Sequence, residues 1–407
     1  MSDPVPIPAV GIERAVEVLR SNRPFRYGED TGTPSEASLL EAEVAAWSGR
    51  AYAVAVNSCG CSLFLALKAL GVEPGDPVLC NAFTLAPVPG AIVHAAARPV
   101  MVDVTEGLTI DVADLERKIE TSGARVLLLS QMRGHLPDMH AVMRLCERAG
   151  VAVVEDCAHT LGARYDGRLA GTFGAVGCYS AQTFKHVNAG EGGLIVTDDP
   201  DVAARAIIMS GSYMMYAQNG ARPPLEAFER WRDETPNFSM RMTDAAAALV
   251  RPQLSELPGW TTRWNAAHDR IERGLAGIDG LRTVPKEPLA ESVRSSLQFY
   301  VDREPPAIAR FVEEAGRHGV FLKWFGAERT VGFTSRYDQW RYAKAEPLPN
   351  APGILARLID MRIALSFDDR DCDTIVRVIA EALEAGQSRS GAGAISTGAG
   401  GTAQTRG

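Results

Sequence analysis

Seven short apolar runs separated by helical patterns constrain this chain more than any other feature. They occupy residues 52–56, 78–83, 99–104, 126–130, 151–156, 176–180 and 194–197. Patterns of helical period fill 63–70, 111–120 and 139–149, the last followed by Gly150 as a C-cap. Runs this apolar must bury both faces, which happens when helices cover a parallel sheet on both sides. The pattern therefore predicts an α/β domain with a mostly parallel central sheet flanked by helices. Ser35 is expected to cap the helix that carries Leu39, Leu40, Val44 and Trp47. Beyond Arg251 the alternation gives way to an amphipathic stretch at 253–275, a strand pattern at 297–301 and helical patterns at 307–318 and 373–383. These predict a smaller C-terminal α+β domain. The expected division is a large domain over 1–251, a small one over 252–386 and a disordered tail over 387–407, whose Gly, Ser, Thr and Ala cannot offset the entropy of ordering.

Composition narrows the function. A chain of 407 residues, 46% of them hydrophobic, can bury two cores, and a formal charge of -8 leaves no broad basic surface for nucleic acid or anionic lipid. The seven cysteines form no CxxC pair and show no ligand-like histidine spacing, so reduced thiols are expected rather than disulfides or a metal site. The first residues lack a basic segment followed by an apolar core, and no run of about 20 apolar residues occurs. The expected compartment is the cytoplasm, with no membrane partner.

Two residues carry the chemistry. Asp156 ends the fifth run, at the strand end where open α/β sheets bind ligands, and Lys185 precedes Gly190-Glu191-Gly192-Gly193. A lysine that forms a Schiff base with an aldehyde, and a carboxylate that keeps a pyridine nitrogen protonated, are what pyridoxal 5'-phosphate chemistry needs. Taken alone, Asp156 would equally cap the turn that follows it. Asn57-Ser58-Cys59-Gly60-Cys61-Ser62 opens a helix after the first run, so its backbone amides suit a phosphate, although many such turns bind nothing. Ser180 is either a hydroxyl donor to the same phosphate or an ordinary strand-end serine. His159 lies three residues past Asp156, near enough to reach a ring held by that carboxylate. The Gly190-Glu191-Gly192-Gly193 run has neither a P-loop lysine nor GxGxxG spacing and reads as a tight turn into the seventh run.

Together these residues resemble the DegT–StrS family of sugar aminotransferases, which are fold-type-I pyridoxal phosphate enzymes. The resemblance covers about residues 27–383. Its most specific pieces are Asn57-Ser58-Cys59-Gly60, Gly71-Val72-Glu73-Pro74-Gly75-Asp76, Glu155-Asp156-Cys157-Ala158-His159, Ser180 with Lys185, the glycine run after Lys185, and Arg241-Met242-Thr243. It implies Lys185 as Schiff-base lysine and proton shuttle, Asp156 as pyridinium partner, and His159 beside the ring and its phenolic oxygen. Cys59, Gly60 and Ser180 would hold the phosphate. It further implies a homodimer with shared active sites, glutamate or glutamine as amino donor, and a keto-sugar or cyclitol acceptor in the biosynthesis of a secondary metabolite or surface glycan.

Several positions depart from the family pattern. Gly60 stands where threonine is usual, Leu85 where an aromatic residue commonly packs on the cofactor, and Gln131 where histidine is frequent. The missing ring contact is either lost or supplied by Phe83. The asparagine that reaches the neighbouring subunit's phosphate is replaced by Ser239, which leaves Asn237 as the candidate. Residues 210–236 either shape acceptor specificity or form dimer surface. Arg133, His135, Lys323 and Arg329 are either acceptor contacts or surface charge. Three rival functions stay open at this point: a sugar dehydratase using His186 in place of lysine, an aminotransferase for a small keto acid or aldehyde, and a regulatory or scaffold protein on the same fold.

Overall fold

The structure, a computed structural model, describes residues 3–27, 34–330, 336–344 and 346–388. Its first strands are β1 (Tyr52–Val56), β2 (Pro77–Asn81), β3 (Arg98–Val102), β4 (Val126–Ser130), β5 (Ala152–Asp156), the short hairpin β6 (Arg164–Tyr165) and β7 (Arg168–Leu169), then β8 (Val176–Ser180) and β9 (Gly193–Thr197). Seven of them make one sheet in the order β1-β9-β8-β5-β4-β2-β3. Strands β3, β2, β4, β5 and β8 pair in parallel, whereas β9 runs antiparallel to both β8 and β1. The expected α/β sheet is therefore present, and each of the seven predicted runs overlaps one of its strands. Leu127, Leu128 and Leu129 on β4 and Val154 on β5 are fully buried, so both faces of the sheet lie in core. Burying each such side chain contributes roughly 1.5–3 kcal/mol, which explains why the runs read as continuous rather than alternating.

The predicted helix at 63–70 starts four residues earlier. Cys59–Ala69 is helical because Ser58 Oγ accepts a hydrogen bond from the Cys61 amide at 3.1 Å, which moves Cys59 and Gly60 into the first turn. Ser35 caps its helix as expected, accepting from the Ser38 amide. Gly150 ends Met139–Ala149 in the left-handed region.

The later strands are β10 (Leu281–Thr283), β11 (Ala290–Glu291), β12 (Ser296–Val301), β13 (Lys323–Trp324) and β14 (Leu358–Arg362). Four form an antiparallel sheet in the order β10-β12-β14-β13, while β11 pairs with β6 and so joins this part of the chain to the first. Asp103, just past β3, accepts from the amides of Asn350 and Ala351 at 2.7 and 2.8 Å and caps the helix Ala351–Arg357 from across the molecule. The last helix, Asp369–Ser388, runs two residues into the segment expected to be a disordered tail; the rest of that segment, from 389 on, lies outside the described residues, as do Gly32 and Thr33.

Candidate active site

Asp156 and Lys185 come together at the carboxyl ends of the parallel strands. Asp156 closes β5, and Lys185 sits in the turn that carries the chain from β8 back into β9. That turn is held from several sides. Lys185 N donates to Gln182 O, and the buried Gln253 accepts from Asn188 N at 2.8 Å and donates to Asn188 O at 2.7 Å. Gly193 allows the close approach that follows: a Cβ there would come within 2.3 Å of the Ser58 backbone. The glycine run is thus the tight turn expected of it, and it also seats β9 against the start of the helix Cys59–Ala69.

Lys185 is half-buried, and its Nζ lies 2.7 Å from His159 Nε2. Burial first, and then the nearby Arg133 guanidinium, lower the Lys185 amine to about 8. Burial and the lysine charge also hold His159 well below the usual imidazole value, so a neutral His159 accepts from the ammonium. Asp156 is 7% exposed and accepts from Ala158 N at 3.2 Å and Ser130 Oγ at 3.1 Å, with Cys59 Sγ 3.9 Å away. Burial raises its carboxyl, and the Ala158 amide and Lys185 charge oppose that rise. The side chain is therefore a buried acid with hydrogen-bond donors behind it and, among the described residues, no cation in ion-pair contact.

Cys59 and Gly60 lie in the first helical turn, whose free amides favour an anion. Ser180 is the ladder partner of Gly193, and its hydroxyl accepts from the Gln182 amide at 3.3 Å. Asn237 does not join this cluster within the chain. It is exposed, and its Oδ1 accepts from the amide and hydroxyl of Ser239.

The departures acquire physical reasons. Gln131 donates to Glu155 Oε2 at 2.9 Å and accepts from Thr160, which ties the end of β5 to the turn carrying His159. Phe83 is fully buried in edge contact with Phe325, so it does not offer the missing ring face. A Cβ on Gly60 would meet only Ser58 Oγ, at 3.8 Å. His186 packs against Trp264 and bonds Ser295. Of the proposed acceptor contacts, Arg133 is buried in an ion pair with Asp360 and His135 bonds Gln298 at 2.9 Å. Lys323 is half-buried, with its amine lowered by burial and by Arg133, and Arg329 is exposed. His268, Asp269 and Glu272 bring three metal-binding atoms within 4.8 Å of one another, but Arg294 pairs with Asp269 and Lys286 with Glu272.

Sequence reasoning missed Thr84, Ser130 and Arg362. Thr84 Oγ1 donates to Ser130 Oγ at 2.7 Å, and Ser130 donates onward to Asp156. A hydroxyl at the end of the run beside β5 was a usable signal, because Ser130 and Asp156 are ladder partners. Arg362 ends β14 and donates from Nη1 to Phe184 O at 2.8 Å, next to Lys185; no local pattern announces it.

A sequence model described as the DegT/DnrJ/EryC1/StrS aminotransferase family matches residues 12–380. The chain is 27% identical over 398 residues to the spore coat polysaccharide biosynthesis protein SpsC of Bacillus subtilis, covering 94% of this chain and 97% of the other. It is 33% identical over 282 residues to the dTDP-3-amino-3,4,6-trideoxy-alpha-D-glucose transaminase of Streptomyces venezuelae, covering 68% and 71%. The solved structure of S. venezuelae DesV in complex with a ketimine intermediate superposes with a TM-score of 0.77 at 26% identity, over 94% of this chain and 99% of that one. The fold, the paired strand ends and these similarities lead to one assignment: the chain belongs to the DegT/DnrJ/EryC1/StrS aminotransferase family.

Proposed function

We propose that the strand-end cluster holds pyridoxal 5'-phosphate and that the enzyme moves an amino group from glutamate or glutamine to a keto group on a sugar or cyclitol in a biosynthetic pathway. One observation carries this reading: the buried Asp156 carboxylate acts electrostatically on the Lys185 amine and lies 3.9 Å from the Cys59 thiol, in the first turn of the helix Cys59–Ala69. The residues present fit the cofactor. Asp156 has protein donors on both oxygens but no cation in contact, as a partner for a protonated pyridine nitrogen requires. The turn at Gly60 is open. When bound, the cofactor supplies an electron sink for the carbon that loses a proton.

This chain's own residues do the rest. Lys185 Nζ is lowered to about 8, so a useful fraction is free amine near neutral pH, able to take the proton from the donor carbon and return it. His159 is neutral and within 2.7 Å, so it orients that amine without adding charge. Asp156, steadied by the Ser130 hydroxyl that Thr84 supports in turn, would hold the ring nitrogen of the bound cofactor protonated. Cys59, Gly60 and Ser180 would hold the phosphate.

Asn237 is proposed to serve the partner's site in a homodimer, because it faces solvent and makes no bond to its own cluster. Exposed Ile12, Leu19 and Phe25 give the chain apolar surface for such an assembly. Residues 1–251 and 252–386 are taken as the two domains. A cytoplasmic site of action is also proposed; among the described residues no helix is long and apolar enough to cross a membrane. The dehydratase alternative loses its support, since His186 is committed to Trp264 and Ser295.

The test is the visible absorbance of the purified protein with pyridoxal phosphate, before and after glutamate or glutamine, with 2-oxo acid assayed in parallel. Donor-dependent loss of the absorbance with oxo-acid release is expected. Lys185→Ala should lose at least about 10³-fold in turnover, and a variant with near-normal activity would sink the assignment.

A further inference from the structure

The residue immediately before Lys185 carries an exposed aromatic ring. Phe184 is 42% exposed, and among the described residues it is the one exposed aromatic side chain that lines the small pocket containing Lys185; Phe25, Tyr213, Phe321 and Tyr342 do not. Single exposed apolar side chains are ordinary on a protein surface. This one differs in being held still. Its amide donates to Gln182 Oε1 at 2.9 Å, and its carbonyl accepts from Arg362 Nη1 at 2.8 Å. The Arg362 guanidinium lies over the ring, 5.2 Å from its centroid, and among the described residues no ion-pair partner draws it away. The ring is thus backed by a cation on one side and open to solvent elsewhere.

The pocket beside Phe184 is divided in character. Trp264, Ile363 and Val5 give it apolar walls, while Lys185, Ser295 and Asp3 are polar. A sugar or cyclitol ring has the same division: hydroxyls project round its edge, and its two faces carry C–H groups. A phenyl ring takes such a C–H face, and hydrogen-bonding side chains take the rim.

We propose that the exposed side of Phe184 is a platform for the acceptor, on which the sugar or cyclitol ring lies with its keto carbon at Lys185. This rests on the aminotransferase reading above. Reach selects the ring over other parts of such an acceptor. Consecutive Cα atoms are about 3.8 Å apart, and the keto carbon is a member of the ring, so a ring held by residue 184 brings that carbon to residue 185. A nucleobase, separated from the keto carbon by a ribose and a diphosphate, is out of range. The amino donor is acyclic and has no face to lay on a phenyl ring. Phe184 therefore separates the two half-reactions, serving the second and idle in the first.

The test is calorimetry of the full chain, freed of cofactor, with three reduced conjugates of pyridoxal phosphate: one with the cyclic scyllo-inosamine, one with the open-chain polyol amine glucamine and one with glutamate. Wild type is compared with Phe184→Ala, Phe184→Leu and Phe184→Tyr. The wild type should bind the cyclic conjugate about 10-fold more tightly than the open-chain one. Phe184→Ala and Phe184→Leu should abolish that preference while holding the glutamate conjugate within about twofold of wild type, and Phe184→Tyr should keep the preference. Equal wild-type affinity for the cyclic and open-chain conjugates overturns the proposal, as does a preference retained in Phe184→Ala. An equal loss for all three conjugates also overturns it, because that is what a ring merely bracing Arg362 would give. If a partner subunit covers the ring instead, Phe184→Ala shifts the sedimentation coefficient and leaves the preference intact, which overturns it too. A wild type that binds none of the three conjugates fails the aminotransferase reading itself, and the platform falls with it.

Discussion

Glu155 and Asp156 are consecutive residues at the end of β5, and they present the same functional group to two different regions of the molecule. Glu155 is fully buried on one face and accepts from the amides of Gly171, Phe173 and Gly174 and from Gln131 Nε2, at 2.7 to 2.9 Å. Asp156, on the other face, has the Ala158 amide, the Ser130 hydroxyl and a distant thiol. Burial pushes both carboxyls up. The difference lies in closure: Glu155 is saturated by donors that belong to the fold, while Asp156 has fewer donors and, among the described residues, no ion-pair partner. The same contrast separates Arg133, locked to Asp360, from Arg362. Buried charge in this protein is structural where its partners are complete and chemical where they are not.

The sharpest way to break the comparison is to neutralise each carboxyl in turn. Asp156→Asn should lower kcat by about 10³-fold or more if Asp156 holds the cofactor's ring nitrogen protonated as proposed. It should also raise the melting temperature of the cofactor-free protein at pH 7. The sign follows from the raised folded value: Asp156 holds its proton more tightly folded than unfolded, so its contribution is lost as pH rises from the ordinary 3.8 through that value. Glu155→Gln should do the reverse, destabilising the fold by about 2–4 kcal/mol because an amide NH₂ meets backbone N–H groups, while folded molecules keep most of their activity. Thermal melts and turnover per folded molecule measure both; equal behaviour of the two variants would erase the distinction.

A second effect concerns the amine facing Asp156. With Lys185 lowered from 10.5 to about 8, its free-base fraction grows with pH up to that value and then saturates. The rate at which cofactor-free protein captures pyridoxal phosphate should climb about tenfold between pH 6 and 7 and flatten above about 8. A midpoint near 10.5 would mean that burial and Arg133 do not act on it.

Smaller changes sharpen the picture of an incomplete site. Ser130→Ala removes one of the donors behind Asp156 and should reduce kcat by about 3- to 10-fold, in line with one lost hydrogen bond. Gly60→Thr has space for its Cβ and adds a hydroxyl at the helix start, so the dissociation constant for pyridoxal phosphate should fall by about 2- to 10-fold. A weaker affinity would show that the open turn at Gly60 is required as it stands.

Much of this architecture was legible along the chain. The strand runs were read to within two residues or so because both-face burial makes them continuously apolar, and the long helix at 253–275 was read at its observed ends, Gln253–Leu275. The placement of Asp156 at a strand end and of Lys185 in the turn before β9 was legible because strand ends and glycine turns are encoded by local spacing. The helix Pro87–His94 was missed, since its two prolines and a glycine mask the period. Asn237 was named from the family resemblance, and in this chain it faces solvent and bonds Ser239 alone among the described residues.

The sequence by itself determined the layers of the fold, the strand end that carries the acid and the turn that carries the lysine. These follow from local periodicity, glycine geometry and residue type. Only the tertiary structure decided which charges are complete. Glu155 and Asp156 are indistinguishable in a string of letters until the alternation of β5 is set against the loop 171–174. Arg133 and Asp360 are 227 residues apart, and Arg362 meets Phe184 across 178. Pairings over such separations are fixed by how two sheets and their connecting helices pack, a global property that no window of sequence contains.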